Sequence, residues 1–168
     1  MNNKEKLENL IELYGNDVLR IATLYMQNPS TAEDIFQDVF LKVNKYLSSF
    51  QGKSSEKTWI IKITINTCKD YLKSAWRKKV VSIENFNDTI ENASFDENII
   101  DSENASIVLN EILLLPTKYK DVLILYYYKD FSTLEISNVL NIPEATVRTR
   151  MKRAREMLKE KLKIILEE

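Results

Sequence analysis

The residues with the clearest chemical purpose lie near the carboxyl end of the chain, where cations are concentrated. Residues 144–163 hold eight lysines and arginines against three glutamates. Because four of these cations recur at helical spacing, they share one face of a predicted helix: Arg148, Lys152, Arg155 and Lys159. Cations in this arrangement can neutralise DNA phosphates, but a basic amphipathic helix alone is also typical of a solvated surface.

The segment before this helix favours DNA binding, because it completes a predicted helix-turn-helix. Ser132 and Glu135 have the spacing of a capping box, so a helix should begin at Thr133. Residues 141–142 should end that helix, and Pro143 suits the first turn of the next one. The second helix should bury an apolar stripe: Val147, Met151, Ala154, Leu158, Leu162 and Ile165. In such motifs the second helix enters the major groove of DNA.

Composition favours a helical, non-enzymatic protein. The 168-residue chain is 44% hydrophobic, carries a net charge of −1 and has only two glycines and three prolines, so an all-α fold is expected. It has no histidine, no glycine-rich phosphate loop and no cluster of metal-ligand spacing, and its single cysteine, Cys68, suits a core. We therefore expect no catalytic residues, no metal, no cofactor and no small-molecule substrate. The chain also lacks a membrane-length apolar run and a signal peptide, which predicts a cytoplasmic protein.

The charge distribution predicts two small helical domains, residues 1–80 and 106–168, joined by an acidic flexible linker, residues 81–105. Residues 82–105 contain seven aspartates and glutamates and no lysine or arginine. Such a segment buries too little apolar surface to offset the entropy of ordering it. Its apolar residues, Phe86, Phe95 and the pair Ile99 and Ile100, could dock on a domain or a partner, or form only transient turns.

The first domain is predicted to begin with two short helices, one ending near Tyr14 and one over residues 17–27, which Pro29 terminates. Ser30 and Glu33 should form a second capping box that opens a long helix with an inward stripe: Ile35, Val39, Val43, Tyr46, Leu47 and Phe50. The outer face carries an acidic stripe with one apolar position: Asp34, Gln37, Asp38 and Leu41. Carboxylates are also favoured there by the helix dipole alone.

Residues 59–67 fit either a strand or a helix. Alternation by two places Trp59, Ile61, Ile63 and Ile65 on one side of a strand. Only the helical period continues beyond Thr67, so a helix is preferred, with Ile61, Ile65, Cys68, Leu72 and Trp76 facing inward. The opposite face then becomes a cationic ladder: Lys62, Asn66, Lys69, Lys73 and Arg77. This ladder could be a second nucleic-acid surface with Trp59 and Trp76 stacking on bases, or both tryptophans could be core and the lysines merely solvated.

Three motifs in this order resemble the extracytoplasmic-function (ECF) subgroup of the bacterial sigma-70 family of sigma factors. They are Asp34 to Phe40, Thr58 to Tyr71, and Leu115-Pro116 through the helix-turn-helix. Residues 13–79 resemble region 2 of the family and residues 112–162 resemble region 4. The resemblance implies a factor that binds core RNA polymerase and directs promoter recognition, DNA melting and transcription initiation.

The resemblance also implies a role for each surface. The positions matching the family's polymerase-binding helix are Asp34, Gln37, Asp38 and Leu41. The loop of residues 50–55 matches the family loop that captures a flipped base of the −10 element. The cationic ladder matches the family helix that lies along the melted strand. The −10 residues would therefore be Gln51, Lys53, Ser54, Lys62, Asn66, Lys69, Lys73 and Arg77. The −35 residues would be Glu144, Thr146, Arg148, Thr149, Lys152 and Arg153.

The implied partners are core RNA polymerase, promoter DNA and an anti-sigma factor, which could hold the protein at the membrane. Two other classes compete with this interpretation. A stand-alone repressor or activator would share the helix-turn-helix but protect duplex DNA without polymerase, and a sequestering protein would explain the acidic linker but not the two cationic faces.

Overall fold

The computed structural model describes residues 2–81 and 103–167, and the chain divides into two compact units. The described part of the first unit contains α1 (Asn3–Met26), α2 (Pro29–Tyr46), a 3-10 turn (Leu47–Ser49) and α3 (Glu56–Val81). The described part of the second contains α4 (Glu103–Leu113), α5 (Thr117–Leu123), a π-helical turn (Ile124–Tyr128), α6 (Thr133–Leu140) and α7 (Glu144–Glu167). Neither described range contains a strand, which confirms the all-α prediction.

The first unit is a three-helix arrangement in which α1, α2 and α3 all pack against one another. Each helix contributes a stripe of buried apolar residues to one core, which includes Leu10, Val18, Ile21, Ile35, Val39, Val43, Ile60, Ile61, Ile65 and Cys68. Burial of these side chains supplies the main driving force for the fold. It also decides which faces of α2 and α3 point outward.

The helix α1 is continuous, so the prediction of two short helices was wrong. The predicted gap between Tyr14 and residue 17 is helical, and Gly15, which lies in it, is buried. A Cβ atom added there would lie 3.4 Å from Cε2 of Phe36 on α2, which shows how closely the two helices approach. Asn2 and Glu5 form a capping box at the start of α1, and Gln27 ends it with a left-handed φ of 52°.

The start of α2 also differs from the prediction. Pro29 begins the helix instead of terminating the preceding one, because a first-turn residue needs no backbone N–H partner. The cap is Asn28, whose side-chain oxygen accepts a hydrogen bond from the backbone N–H of Thr31 at 3.0 Å. The predicted capping box at Ser30 and Glu33 was therefore wrong. The predicted inward stripe is confirmed for Ile35, Val39, Val43 and Leu47, whereas Tyr46 is exposed and Phe50 is half-buried.

Residues 59–67 lie within α3, so the helical alternative is correct and the strand is excluded. Both hydroxyls of the buried Thr64 and Thr67 donate to carbonyl oxygens four residues earlier, those of Ile60 and Ile63, at 2.9 and 2.8 Å. Burial of β-branched residues in the core thus overrides their weak preference for strands. The inward assignment is confirmed for Ile61, Ile65 and Cys68 but wrong for Leu72 and Trp76, which are 38% and 67% exposed.

The second unit packs α7 against α4, α5 and α6. Its core includes Leu109, Val122, Leu123, Ile124, Leu125, Ile136, Val139, Val147 and Ala154. The inward stripe predicted for α7 is confirmed at Val147, Met151 and Ala154, while Leu158 and Leu162 are half-buried and Ile165 is exposed. An ion pair between Lys161 and Glu111, 3.6 Å apart, joins α7 to α4.

The turn between α6 and α7 has the predicted form. Ser132 and Glu135 make both hydrogen bonds of the capping box, so α6 begins at Thr133 as expected. Asn141 ends α6 in the left-handed conformation with a φ of 54°, and its backbone N–H donates to the carbonyl oxygen of Ser137. The hydroxyl of Ser137 in turn donates to the carbonyl oxygen of Ile142 at 2.6 Å. These bonds hold α6 and α7 as a helix-turn-helix.

Residues 82–102 of the predicted acidic linker, with Phe86, Phe95, Ile99 and Ile100, lie outside the described residues. Val81 belongs to α3, and residues 103–105 belong to α4. None of the helices in the described ranges has the length and apolar character that crossing a bilayer requires.

Candidate nucleic-acid and polymerase interfaces

The outward face of α7 carries most of the predicted −35 residues. Because Val147, Met151 and Ala154 are buried, the residues between them point away from the core. The exposed members of the set are Arg148, Thr149, Lys152 and Arg153, whereas Glu144 and Thr146 are half-buried at the start of the helix. The structure therefore brings these six residues together on the first three turns of one helix.

Arg148 is joined to α6 through Glu144. The side chain of Arg148 donates from Nη2 to Oε1 of Glu144 at 2.8 Å, and the hydroxyl of Thr133 donates to the same oxygen at 2.5 Å. The bond from Thr133, followed by the bond and charge of Arg148, lowers the pKa of the Glu144 carboxyl. Glu144 therefore stays ionised and links the first residues of both helices of the motif.

A groove of about 250 Å³ lies beside this face, between α5 and α7. Its lining contains three cations and two hydroxyl groups: Lys118, Tyr119, Thr149, Arg150 and Arg153. A hydrogen bond from Arg153 lowers the pKa of Tyr119, with a smaller contribution from the charge of Lys118. The predicted −35 residues did not include Lys118 and Tyr119, because only tertiary packing places α5 next to α7, and they did not include Arg150 of α7 either.

Arg155 is held by two aromatic side chains of the π-helical turn. Its Nε donates to the hydroxyl of Tyr127 at 3.1 Å, and its guanidinium lies 5.4 and 5.8 Å from the ring centres of Tyr126 and Tyr127. Cation–π contacts of this kind fix the guanidinium on the protein surface. Arg155 therefore belongs to the packing of the π-helical turn as well as to the basic face.

The predicted −10 ladder lies along one face of α3. Asn66, Lys73 and Arg77 are exposed, and Lys62 and Lys69 are half-buried. Trp76 is also on this side, because it follows Lys73 by three residues and Lys69 by seven. An exposed indole next to a row of cations is the combination that single-stranded nucleic acids bind.

A pocket of about 330 Å³ opens next to the loop that precedes α3. It is lined by Tyr46, Ser49, Phe50, Gln51, Lys53, Ser54 and Trp59. The rings of Phe50 and Trp59 stack with centres 4.6 Å apart, which leaves Trp59 half-buried between core and solvent. Gly52 has a φ of +66°, a conformation that glycine adopts without strain, so the loop can turn sharply there. Gln51, Lys53 and Ser54 were predicted as site residues and Trp59 as a ring that could stack on bases, whereas Tyr46 and Phe50 were predicted to face the core.

The acidic stripe of α2 is exposed as predicted. Asp34, Gln37 and Asp38 point outward, and Leu41 extends the stripe with an aliphatic side chain that is 68% exposed. The burial of Ile35, Val39 and Val43 on the other side fixes this orientation. The surface offers two carboxylates, an amide and an apolar group to a partner with basic and apolar groups.

These features define the class of protein. A chain whose second unit contains a helix-turn-helix with an exposed basic helix is a nucleic-acid-binding protein of the helix-turn-helix type. Two family descriptions match the chain: sigma-70 region 2 over residues 10–78 and sigma-70 region 4 over residues 106–158.

Individual relatives agree with this class. The chain is 30% identical over 158 residues to the ECF RNA polymerase sigma factor SigM of Bacillus subtilis, covering 91% of this chain and 93% of SigM. It is 26% identical over 169 residues to SigW of the same organism, covering 95% and 90%. The sigma factor RpoE, in a co-crystal structure with the anti-sigma factor NepR from Bartonella quintana, shares the fold with a TM-score of 0.80 and 21% identity, covering 95% of this chain and 98% of that one.

The chain therefore belongs to the ECF sigma factors of the sigma-70 family. It is a transcription initiation factor and not an enzyme, and its partners are core RNA polymerase and promoter DNA.

Proposed function

We propose that this sigma factor recognises its promoter through two separate surfaces and binds polymerase through a third. In this proposal residues 106–168 bind the −35 element, residues 1–80 bind the −10 element and the polymerase clamp, and residues 81–105 connect them. The observation that carries the proposal is the exposure of Arg148, Lys152 and Arg153 on α7 while the opposite side of that helix is buried.

At the −35 element, α7 enters the major groove. Arg148 and Arg153 are the residues with the fork geometry that matches the O6 and N7 atoms of guanine. Lys152 and Thr149 contact phosphates, and Glu144 and Thr146 lie at the helix start near the DNA backbone. The groove between α5 and α7 adds Lys118 and Arg150 as further cations for the backbone.

At the −10 element, the pocket beside α3 receives a base that has left the duplex. Gln51, Lys53 and Ser54 supply polar contacts to that base, and the stacked pair of Phe50 and Trp59 forms an aromatic wall. Unstacking a base costs a few kcal/mol, so the pocket helps to keep the melted bubble open.

The rest of the melted strand follows the cationic ladder: Lys62, Asn66, Lys69, Lys73 and Arg77. The four cations neutralise phosphates, Asn66 adds an amide that can form hydrogen bonds, and the exposed ring of Trp76 offers a stacking surface to a neighbouring base. The mechanism is binding alone, since capture of unpaired bases stabilises the open complex without a covalent step.

The acidic stripe of Asp34, Gln37, Asp38 and Leu41 binds the clamp coiled coil of the largest polymerase subunit. Opposite charges promote encounter, while the exposed Leu41 supplies apolar area that becomes buried in the complex. Because the two DNA-binding units belong to one chain, binding of either promoter element raises the effective concentration of the other unit.

An anti-sigma factor is proposed to regulate this chain in the cytoplasm, where it could hold the sigma factor at the membrane. RpoE in the structure with NepR shows a protein of the same fold bound to such a partner. This partner would have to cover the DNA-binding or polymerase-binding surfaces to prevent initiation.

The test is run-off transcription with purified core polymerase on random genomic fragments, with and without the sigma factor. New transcripts with shared upstream sequences at two fixed positions are expected only when the chain is present. A chain that yields no new start sites, but protects duplex DNA from nuclease without polymerase, would instead be a stand-alone repressor or activator.

A further inference from the structure

Glu144 has an unexpected environment for a residue at the start of a DNA-recognition helix. A carboxylate near the DNA backbone repels phosphates, so its charge weakens binding to any duplex. Its presence there calls for a second role that offsets this loss of affinity. Oε1 of Glu144 already accepts hydrogen bonds from Thr133 and Arg148, at 2.5 and 2.8 Å. This carboxylate oxygen therefore already accepts two hydrogen bonds within the free protein.

Thr133, one of those two partners, is held in place by α6. Thr133 is the first residue of α6, and the capping box of Ser132 and Glu135 fixes that helix end with bonds of 2.8 and 3.2 Å. The turn to α7 is held by the bond from Ser137 to the carbonyl of Ile142. The hydroxyl of Thr133 is therefore a donor at a defined position, and it fixes the carboxylate from outside α7.

Arg148, the other partner, has a long and flexible side chain. The side chain of Arg148 is 70% exposed, and that of Glu144 is 35% exposed. An arginine that reads a base must be ordered, and ordering it in the free protein lowers the entropy cost that is met on binding. An exposed ion pair adds little to folding stability, so stability does not explain the bond between Arg148 and Glu144.

We propose that Glu144 is a positioning residue, which together with Thr133 orients the guanidinium of Arg148 for one base of the −35 element. The proposal rests on the function proposed above and changes the role of Glu144 within it. Glu144 acts through Arg148 and lowers affinity for random DNA, because its charge repels phosphates. Because that repulsion acts on every duplex alike, Glu144 raises the ratio of promoter affinity to random-DNA affinity only by ordering Arg148.

The test compares binding of the polymerase holoenzyme to its promoter and to a duplex with the −35 element randomised. Glu144→Gln keeps the shape and removes the charge. It should tighten binding to the randomised duplex and reduce the promoter-to-random ratio about threefold to tenfold, within the range of couplings inside one hydrogen-bond network. Thr133→Val should reduce the ratio without tightening random binding, because the carboxylate keeps its charge. Thr133→Ser, which keeps the hydroxyl, is the matched control and should behave as wild type.

A double-mutant cycle with Arg148→Ala separates positioning from direct contact. In the Arg148→Ala background, Glu144→Gln should have no further effect on the base preference at the position that Arg148 reads. An equal loss of base preference in both backgrounds would show that Glu144 contacts DNA itself, and would overturn the inference. Unchanged preference in Glu144→Gln and Thr133→Val, with a loss in Arg148→Ala, would overturn it while leaving the proposed function intact. Absence of promoter discrimination in the wild type would refute the proposed function.

Discussion

Replacing Arg153 with alanine should weaken promoter binding far more than binding to random DNA. Arg153 is exposed on the outward face of α7, and its hydrogen bond to Tyr119 holds the guanidinium at the edge of the groove between α5 and α7. If the guanidinium reads a guanine through two hydrogen bonds, its loss costs about 1–3 kcal/mol. That corresponds to a roughly 5- to 150-fold loss of affinity for the promoter.

Lys159→Ala is the matched control for this substitution. Lys159 is an exposed cation on the same helix, six residues further on, and so lies about 9 Å along the axis from Arg153. A contact from Lys159 to a phosphate would be lost equally on every sequence. Its removal should make the dependence of log K on log salt concentration less steep by about 0.9, without changing the promoter-to-random ratio.

The assay is fluorescence anisotropy of labelled duplexes with the holoenzyme at several salt concentrations, using a promoter obtained by run-off transcription. Arg153→Ala should lower the promoter-to-random ratio at every salt concentration, whereas Lys159→Ala should lower both affinities together. Equal losses on promoter and random DNA for both variants would refute base reading by Arg153.

Three further outcomes test other parts of the molecule. Asp34→Lys combined with Asp38→Lys should abolish co-purification with core polymerase and leave the circular dichroism spectrum unchanged, because both residues are exposed; normal co-purification would refute the role of α2. Trp76→Ala should weaken binding of single-stranded −10 oligonucleotides to the holoenzyme by about 1–3 kcal/mol, as measured by competition, and an unchanged affinity would exclude stacking. Gly15→Ala should raise the free energy of unfolding by about 0.5–1 kcal/mol in urea denaturation, because alanine favours a helix and the added Cβ would lie no closer than 3.4 Å to its nearest neighbour. A decrease in the free energy of unfolding would show that this contact is too tight.

Local signals predicted the helix-turn-helix well. The capping box at Ser132, the end of α6 at Asn141 and the buried stripe at the start of α7 all lie where they were expected. Each depends on residues within one or two helical turns, so the chain carries the information in adjacent positions. The same locality explains why the exposed cations of α7 and the acidic stripe of α2 could be placed on outward faces before the fold was known.

The errors occurred where contacts between helices outweighed local preference. Two short helices were predicted before α2, but packing against α2 and α3 holds α1 as one continuous helix. Trp76 continued an apolar pattern and was placed inward, yet it is exposed, and Leu72 one turn earlier is partly so. Periodicity gives the face of a helix but not the point at which its neighbours end, so it overextended the buried stripe of α3.

The amino-acid sequence by itself determined the helical class, the segregation of charge, the motifs of the sigma-70 family and the faces on which the cations lie. Only the tertiary structure decided which groups meet: Thr133 with Glu144, Arg153 with Tyr119, and Phe50 with Trp59 beside the loop of Gln51. The physical reason is distance along the chain. Capping and periodicity act between neighbours in sequence, whereas these contacts join residues 9 to 34 positions apart and exist only after the helices have packed.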